Sequence, residues 1–209
     1  MNFAPGAWRY AIVPLLVAPF ALIYSVPASV LALGLGAFVL YFFRDPDRTP
    51  PPTGVVSPAD GKVSVRREEG DRVRLGVFMN VWNVHVVRAP FDGVVEEVEH
   101  VPGAHRPAFS KDSDRNERVY VRFAAEESDD SASDRGAIRR EREVTFIAGA
   151  FARRIHPYVE PGDELERGDR IGHIAFGSRV DVLFPPTVDL EDLAVDVGEK
   201  VTAGETVVR

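Results

Sequence analysis

The longest apolar stretch of the chain is its N-terminal part, where residues 10–43 contain no charged side chain. A continuous helix of this length would measure roughly 50 Å, which exceeds the ~30 Å hydrocarbon core of a bilayer. Three prolines would also interrupt such a helix: Pro14, Pro19 and Pro27. The pattern therefore predicts a membrane segment over residues 1–43, with a break near residues 25–27. A helical hairpin is favoured over a single tilted helix.

Residues 44–53 combine charges with four prolines, which argues against both helix continuation and strand pairing. They are predicted to form a linker to the rest of the chain, residues 54–209. Arg44 and Arg48 on this side outnumber the single Arg9 on the other flank. The positive-inside rule therefore places the domain on the cytoplasmic side, and a hairpin would put both flanks there.

From residue 54 onward, short runs rich in Val and Ile alternate with Gly, Pro and Asp, which predicts an all-β domain. The predicted strands are residues 73–77, 94–98, 119–123, 144–147, 171–176 and 180–184. Residues 126–143 are polar without apolar periodicity and are expected to form a solvated loop.

Two internal repeats refine the expected architecture. Residues 58–63 recur in similar form as residues 90–95, and each copy predicts a tight turn that leads into a strand. Residues 159–171 recur as residues 195–207, which predicts two hairpins of one design. Such hairpins resemble the barrel-sandwich fold of biotinyl and lipoyl carrier domains. The predicted fold class is therefore mainly β, a barrel-sandwich-like domain with an N-terminal transmembrane helix or helical hairpin.

Composition excludes several kinds of chemistry. The net charge of −7 argues against a broad electrostatic grip on nucleic acid. The chain has no cysteine, so disulfides, thiolate metal ligands and cysteine nucleophiles are excluded. The five histidines do not show metal-ligand spacing, and no metal site is expected.

The candidate chemistry centres on Gly177-Ser178, the only Gly-Ser dipeptide, which lies between two predicted strands. A glycine before the serine permits a strained backbone and leaves its carbonyl open to the neighbouring hydroxyl, although an ordinary turn has the same sequence. His85, in an apolar strand-like run, is the candidate base. Asp60 and Asp92 both precede a glycine in similar turns, and the pattern alone does not rank them.

Four sequence blocks carry a family resemblance. They are Tyr-Phe-Phe-Arg-Asp-Pro at residues 41–46, Ser-Pro-Ala-Asp-Gly at 57–61, Asn-Val-Trp-Asn-Val-His-Val-Val-Arg-Ala-Pro at 80–90, and Phe-Gly-Ser-Arg-Val-Asp at 176–181. In this order and spacing they resemble the phosphatidylserine decarboxylases, specifically the short archaeal and bacterial branch.

The resemblance implies a self-cleaving enzyme. Ser178 would attack the carbonyl of Gly177, and elimination from the resulting ester would leave a pyruvoyl group at position 178. His85 would act as base and Asp60 would hold its tautomer, which ranks Asp60 above Asp92. The cofactor would then be a pyruvoyl group derived from Ser178. The two chains would stay associated, and a homodimer is possible by analogy.

The implied substrate is a serine phospholipid, phosphatidylserine or its archaeal ether analogue, which is decarboxylated to the ethanolamine phospholipid. In the family the pyruvoyl carbonyl condenses with the substrate amine and replaces PLP as the electron sink. The longer enzymes have a second histidine where this chain has Arg88, and threonine where it has Arg179. Both arginines are candidates to bind the lipid phosphate or the substrate carboxylate.

Two other classes of function remain as alternatives. A membrane-anchored lipoyl- or biotinyl-like carrier or adaptor would carry a modification on Lys200, in the second repeat. A serine hydrolase would use Asp60, His85 and Ser178 on an external substrate without cutting its own chain, but the Gly-x-Ser-x-Gly motif is absent.

Overall fold

The structure is a computed structural model that describes residues 2–104, 115–124, 142–149, 154–176 and 178–209. The helices are α1 (Ala7–Tyr24) and α2 (Val26–Phe42). The strands are β1 (Asn2–Phe3), β2 (Arg44–Asp45), β3 (Gly61–Glu69), β4 (Arg72–Met79), β5 (Val86–Arg88), β6 (Gly93–Val101), β7 (Arg118–Phe123), β8 (Arg142–Ala148), β9 (Ile155–Pro157), β10 (Glu164–Leu165), β11 (Arg170–Ile174), β12 (Ser178–Leu183) and β13 (Lys200–Val201).

The two apolar helices pack against each other as a hairpin, as the sequence favoured. The break falls at Ser25, whose hydroxyl accepts a hydrogen bond from Ala28 N at 3.4 Å and so caps α2. Helix α1 continues through Pro14 and Pro19, although both were expected to interrupt it. Most apolar side chains of the hairpin are exposed, including Leu31 and Ile23. Helix α1 is long and apolar enough to cross a membrane, and α2 is slightly shorter.

Both ends of the hairpin meet at one place. Strand β1 pairs with β2, so Asn2 lies opposite Asp45 and Phe3 lies opposite Arg44. The linker prediction was therefore wrong in excluding strand pairing at its start. The pairing is possible because it uses only two residues and ends before Pro46.

The β domain is built on a curled sheet that forms a half-barrel. Its eight strands lie in the order β10-β6-β7-β8-β12-β4-β3-β13, and a separate three-stranded sheet has the order β5-β11-β9. All six strands predicted from Val- and Ile-rich runs are present, and their alternate side chains fill one apolar core. The predicted polar loop falls mostly on residues 126–141, outside the described residues, and its last two residues begin β8.

The internal repeats are visible as equivalent hydrogen bonds. Gly162 N donates to Val95 O and Gly198 N donates to Val63 O, each at 2.8 Å. Both glycines have positive φ, 99° and 95°, which favours glycine at these turns. The repeats were expected to form two hairpins of one design. Their short strands β10 and β13 pair with β6 and β3, so each repeat completes an edge of the large sheet.

Candidate active site

Ser178 is the first residue of β12, where it pairs with Met79 of β4 and Ala148 of β8. Its side chain is completely buried. Among the described residues, the only hydrogen-bond partner of its hydroxyl is the thioether of Met79, at 4.0 Å, which is a weak acceptor. The serine is thus fixed by the sheet while its hydroxyl is available for chemistry. Gly177, the other half of the predicted cleavage site, lies outside the described residues.

His85 is a buried imidazole whose tautomer is determined by the backbone. Its Nδ1 lies 3.0 Å from the carbonyl oxygen of Asn83, and because a carbonyl only accepts, Nδ1 carries the proton. The lone pair is therefore on Nε2, which is buried and has no hydrogen-bond partner in the part of the chain that the structure describes. Burial lowers the pKa of His85 to about 3, so the ring is neutral at physiological pH. It is in the correct state to accept a proton.

Asp60 has different contacts from those expected. Both oxygens of its carboxylate accept from Nη2 of Arg48, at 2.9 and 3.0 Å, and Oδ1 also accepts a hydrogen bond from Ala203 N at 2.8 Å. Within the described residues it makes no hydrogen bond to His85, and the acceptor that fixes the tautomer is Asn83 O. The prediction that Asp60 fixes the tautomer of His85 is therefore wrong, because the carbonyl of Asn83 already binds Nδ1. A catalytic role for Asp60 stays a prediction.

The segments that carry His85 and Phe176 pack on the base of the helical hairpin rather than in the sheet core. Val84, Val86 and Ala175 are buried in one cluster with residues of both helices. We call Tyr10, Phe42 and Phe43 the hairpin aromatic cluster. The ring of Phe42 stacks on His85, with centroids 4.2 Å apart, and also on Phe176, at 4.9 Å.

Phe176 has an unusual backbone conformation, with a φ of 66°. For a bulky residue the left-handed region costs about 1–2 kcal/mol and persists only where the surroundings enforce it. Three rings surround the side chain: Phe42, Phe43 at 5.8 Å and Tyr10 at 5.8 Å. Aromatic contacts contribute about 0.5–1.5 kcal/mol each, so the hairpin aromatic cluster is of the size needed to offset the backbone cost.

A second buried imidazole, His173, lies close to the site. Its Nδ1 is 2.6 Å from the hydroxyl of Tyr158, its ring stacks on His156 at 4.6 Å, and it meets the edge of Phe43. Burial lowers the pKa of His173 to about 4 and raises the pKa of Tyr158. The tyrosine therefore keeps its proton, and its hydroxyl forms a short hydrogen bond with Nδ1 of His173.

The other candidates from the sequence are engaged elsewhere. Arg88 is buried in an ion pair with Asp45 at 3.0 Å and also donates to two backbone carbonyls, which ties the linker to the domain. Arg179 is buried and forms a bidentate pair with Asp181, at 2.7 and 2.9 Å. Lys200 lies in β13, paired with Lys62 of β3, and not at the tip of a turn.

Sequence reasoning missed the hairpin aromatic cluster and the left-handed conformation of Phe176. Two of the aromatic residues belong to the Tyr-Phe-Phe-Arg-Asp-Pro block at residues 41–46. Aromatic side chains immediately before a polar linker were a signal that the end of the hairpin contacts the domain. Nothing in the sequence pattern indicated their partner.

Comparisons with known proteins show the family to which the chain belongs. A family model described as phosphatidylserine decarboxylase matches residues 35–209. A putative archaetidylserine decarboxylase proenzyme of Halobacterium salinarum is 55% identical, over 97% of this chain and 96% of the relative. A similar putative proenzyme of Methanopyrus kandleri is 40% identical over 97% and 96%. A phosphatidylserine decarboxylase proenzyme of Streptomyces avermitilis is 48% identical over 87% and 76%.

These relatives define a class of decarboxylases that are made as proenzymes. The chain belongs to the phosphatidylserine decarboxylase family.

Proposed function

We propose that this chain is a membrane-attached precursor that cuts itself between Gly177 and Ser178, and that the resulting pyruvoyl group decarboxylates a serine phospholipid to the ethanolamine phospholipid. The observation that carries the proposal is the state of His85: a buried, neutral imidazole whose lone pair is on an Nε2 atom without a partner among the described residues. The completely buried hydroxyl of Ser178, with only a thioether as partner there, fits the second requirement.

The self-cleavage requires a hydroxyl that loses its proton as it attacks. His85 Nε2 accepts the proton of Ser178, whose oxygen adds to the carbonyl carbon of Gly177. The amide C–N bond breaks and an ester C–O bond replaces it. Removal of the α-proton of residue 178 then breaks its Cβ–O bond, which leaves a carboxylate on Gly177. Water displaces the new terminal nitrogen as ammonia, and residue 178 becomes an α-keto acyl group.

The residues around position 178 fit such a group. A small keto group formed there would lie in the buried site that now holds the serine side chain, beside Met79. When formed, the keto carbonyl supplies the electron sink for loss of carbon dioxide from an amine substrate. Asn83 O keeps the His85 ring in one orientation, and the proposed role of His85 is to take up a proton on Nε2 and return it to the substrate carbon that has lost carbon dioxide.

The helical hairpin supports the membrane part of the proposal. Its outward side chains are apolar, and α1 is about 27 Å long, close to the hydrocarbon thickness. Arg44, at its base, donates to the carbonyls of Tyr41 and Trp82 at 2.7 Å. We propose that the hairpin inserts into the membrane and that the β domain lies on the cytoplasmic side. A lipid head group would then reach the site from the bilayer surface.

An intact-mass measurement tests the proposal. The parent should consist of two chains of 177 and 32 residues, and Ser178→Ala should remain one chain of 209 residues. The shorter parent chain should be lighter, by one ammonia, than the same chain with an N-terminal serine. Carbon dioxide release from phosphatidylserine and from its archaeal ether analogue, in detergent micelles, should be present for the parent and absent for Ser178→Ala. An uncut and active parent would refute the proposal.

A further inference from the structure

The residue before the proposed cleavage dipeptide has a conformation that its own side chain disfavours. Phe176 is the one non-glycine residue with positive φ in the described part of the chain. It lies two positions before Ser178. A strained backbone at a functional site is maintained by the surrounding structure.

We propose that the hairpin aromatic cluster is a positioning element that holds Phe176 in its left-handed conformation and thereby sets the geometry for attack by Ser178. This inference rests on the proposed function, because it concerns the same self-cleavage. It assigns a role in maturation to the membrane hairpin, in addition to attachment.

The two sides of the proposed scissile bond are held by different parts of the molecule. Ser178 is fixed by strand pairing in the large sheet, next to the main apolar core. Ala175 and Phe176 pack in the apolar cluster at the base of the hairpin. Two backbone hydrogen bonds hold this segment: Ile174 N donates to His85 O at 3.2 Å, and Ala175 N donates to Arg154 O at 3.1 Å. The distance between hydroxyl and carbonyl carbon therefore depends on how the hairpin is seated on the sheet.

The geometric requirement is strict, because an intramolecular attack is fast only when the reacting atoms are held close to their contact distance. A left-handed residue turns the chain sharply between β11 and β12. If Phe176 relaxed to an ordinary extended conformation, the carbonyl that precedes Ser178 would be reoriented. The ring of Phe176 is the part of this turn that the hairpin aromatic cluster contacts.

The three members of the cluster are not equally useful for a test. Phe42 also stacks on His85, so its replacement would alter the base as well as the turn. Tyr10 and Phe43 contact Phe176 and have no ring contact with His85 among the described residues. Tyr10 is 37% exposed, so its truncation is the mildest change to the fold. Phe38, one turn from Phe42 on the same helix, provides a matched control because it packs on Phe42 and Trp82 instead.

The experiment follows the appearance of the 32-residue chain after cell-free synthesis of the full chain into lipid vesicles. Tyr10→Ala and Phe43→Ala should slow cleavage by roughly tenfold, as expected when a strained reactive conformation loses its support. Phe38→Ala should cleave within about twofold of the parent rate. Thermal unfolding of the uncleaved Ser178→Ala forms of each variant measures the structural cost separately.

A second pair of variants separates positioning from packing. Phe176→Ala and Phe176→Gly both remove the ring, but only glycine adopts positive φ without cost. Phe176→Ala should therefore cleave roughly tenfold more slowly than Phe176→Gly. Phe176→Gly should also restore the rate of Phe43→Ala when the two are combined. A purely structural role of the rings would give no such rescue.

The outcomes distinguish the two proposals. If the parent is cut but Tyr10→Ala matches the parent rate, or if alanine and glycine at position 176 behave alike, the positioning role is refuted while self-cleavage stands. If the parent itself is never cut, the proposed function is refuted, and the positioning role is refuted with it.

Discussion

The rings of His85 and Phe42 lie stacked, with centroids 4.2 Å and planes 30° apart. The proposed base of the β domain is therefore covered by a side chain from the end of the apolar hairpin. Its low pKa comes mainly from burial, and Phe42 is part of what buries it. The hairpin is thus a structural component of the candidate active site.

This stacking predicts that Phe42 controls the ionisation of His85. In Phe42→Ala, water reaches the imidazole, and the pKa of His85 should rise from about 3 towards the ordinary value of about 6.5. Imidazole nitrogen NMR of the Ser178→Ala precursor, titrated in detergent micelles, measures the shift. Phe38→Ala, which lacks contact with His85 in the ring contacts described, should leave it unchanged. An unaltered pKa in Phe42→Ala would show that other groups bury the ring.

The ion pair between Arg48 and Asp60 predicts that Asp60 contributes to the stability of the fold. The carboxylate joins the linker to Ala203 in the C-terminal repeat, so Asp60→Asn and Arg48→Met should each lower the free energy of unfolding, by about 1–3 kcal/mol. The loss in the double variant should be smaller than the sum of the two, because both variants remove the Arg48–Asp60 pair, while Arg48→Met also removes the pair with Glu205 at 3.1 Å. Urea unfolding of the Ser178→Ala background tests this.

The same two variants test the catalytic prediction for Asp60, which the family resemblance implies. If the carboxylate also acts in self-cleavage, Asp60→Asn should slow the appearance of the 32-residue chain far more than Arg48→Met does. Equal rates would limit Asp60 to its structural contacts. The comparison is informative because both variants break the Arg48–Asp60 pair, but only Asp60→Asn removes the carboxylate.

The strands were predictable because Val- and Ile-rich runs bounded by Gly and Pro report local preferences, and β4, β7 and β12 follow them closely. The acceptor for His85 was not predictable, since Asn83 acts through its backbone carbonyl, which every residue has. The contact of Phe42 with Phe176 joins segments far apart in the chain, and periodicity contains no information about it. The left-handed Phe176 opposes local propensity, which is where sequence reasoning is expected to fail.

The exposed Trp82 predicts where the β domain meets the membrane. It is 62% exposed in the loop between β4 and β5, its ring meets the edge of Phe38 on α2, and its carbonyl accepts from Arg44 at the hairpin base. Tryptophan favours the interface between lipid and water. In vesicles, Trp8→Phe leaves Trp82 as the only tryptophan, and its fluorescence should be quenched by lipids brominated near the head group.

The matched variant is Trp82→Phe, which leaves Trp8, near the start of α1, as the reporter. Because the two ends of the hairpin lie together, both tryptophans should respond most strongly to the same shallow bromine position. Quenching of Trp8 without quenching of Trp82 would place the loop away from the bilayer.

The last prediction concerns pH. Burial lowers the pKa of His85 to about 3 and that of His173 to about 4, whereas both rise to about 6.5 when the chain unfolds. Between these values the unfolded chain binds more protons than the folded one, so stability is lost as the pH falls below about 6.5. Each histidine contributes a slope of at most about 1.4 kcal/mol per pH unit, down to about pH 4 for His173 and about pH 3 for His85.

Replacing His173 with glutamine should therefore reduce the slope of unfolding free energy against pH between about pH 6.5 and 4, even if it lowers stability at neutral pH. The measurement is urea unfolding at several pH values, in the Ser178→Ala precursor with and without His173→Gln. Because the carboxylates are the same in both proteins, their contribution to the slope cancels in the comparison. His100→Gln is the comparison variant, because it removes an exposed histidine of β6, beside Glu117, instead of a buried one. Parallel curves for parent and His173→Gln would mean that the His173 imidazole takes up its proton in the folded protein as readily as in the unfolded one.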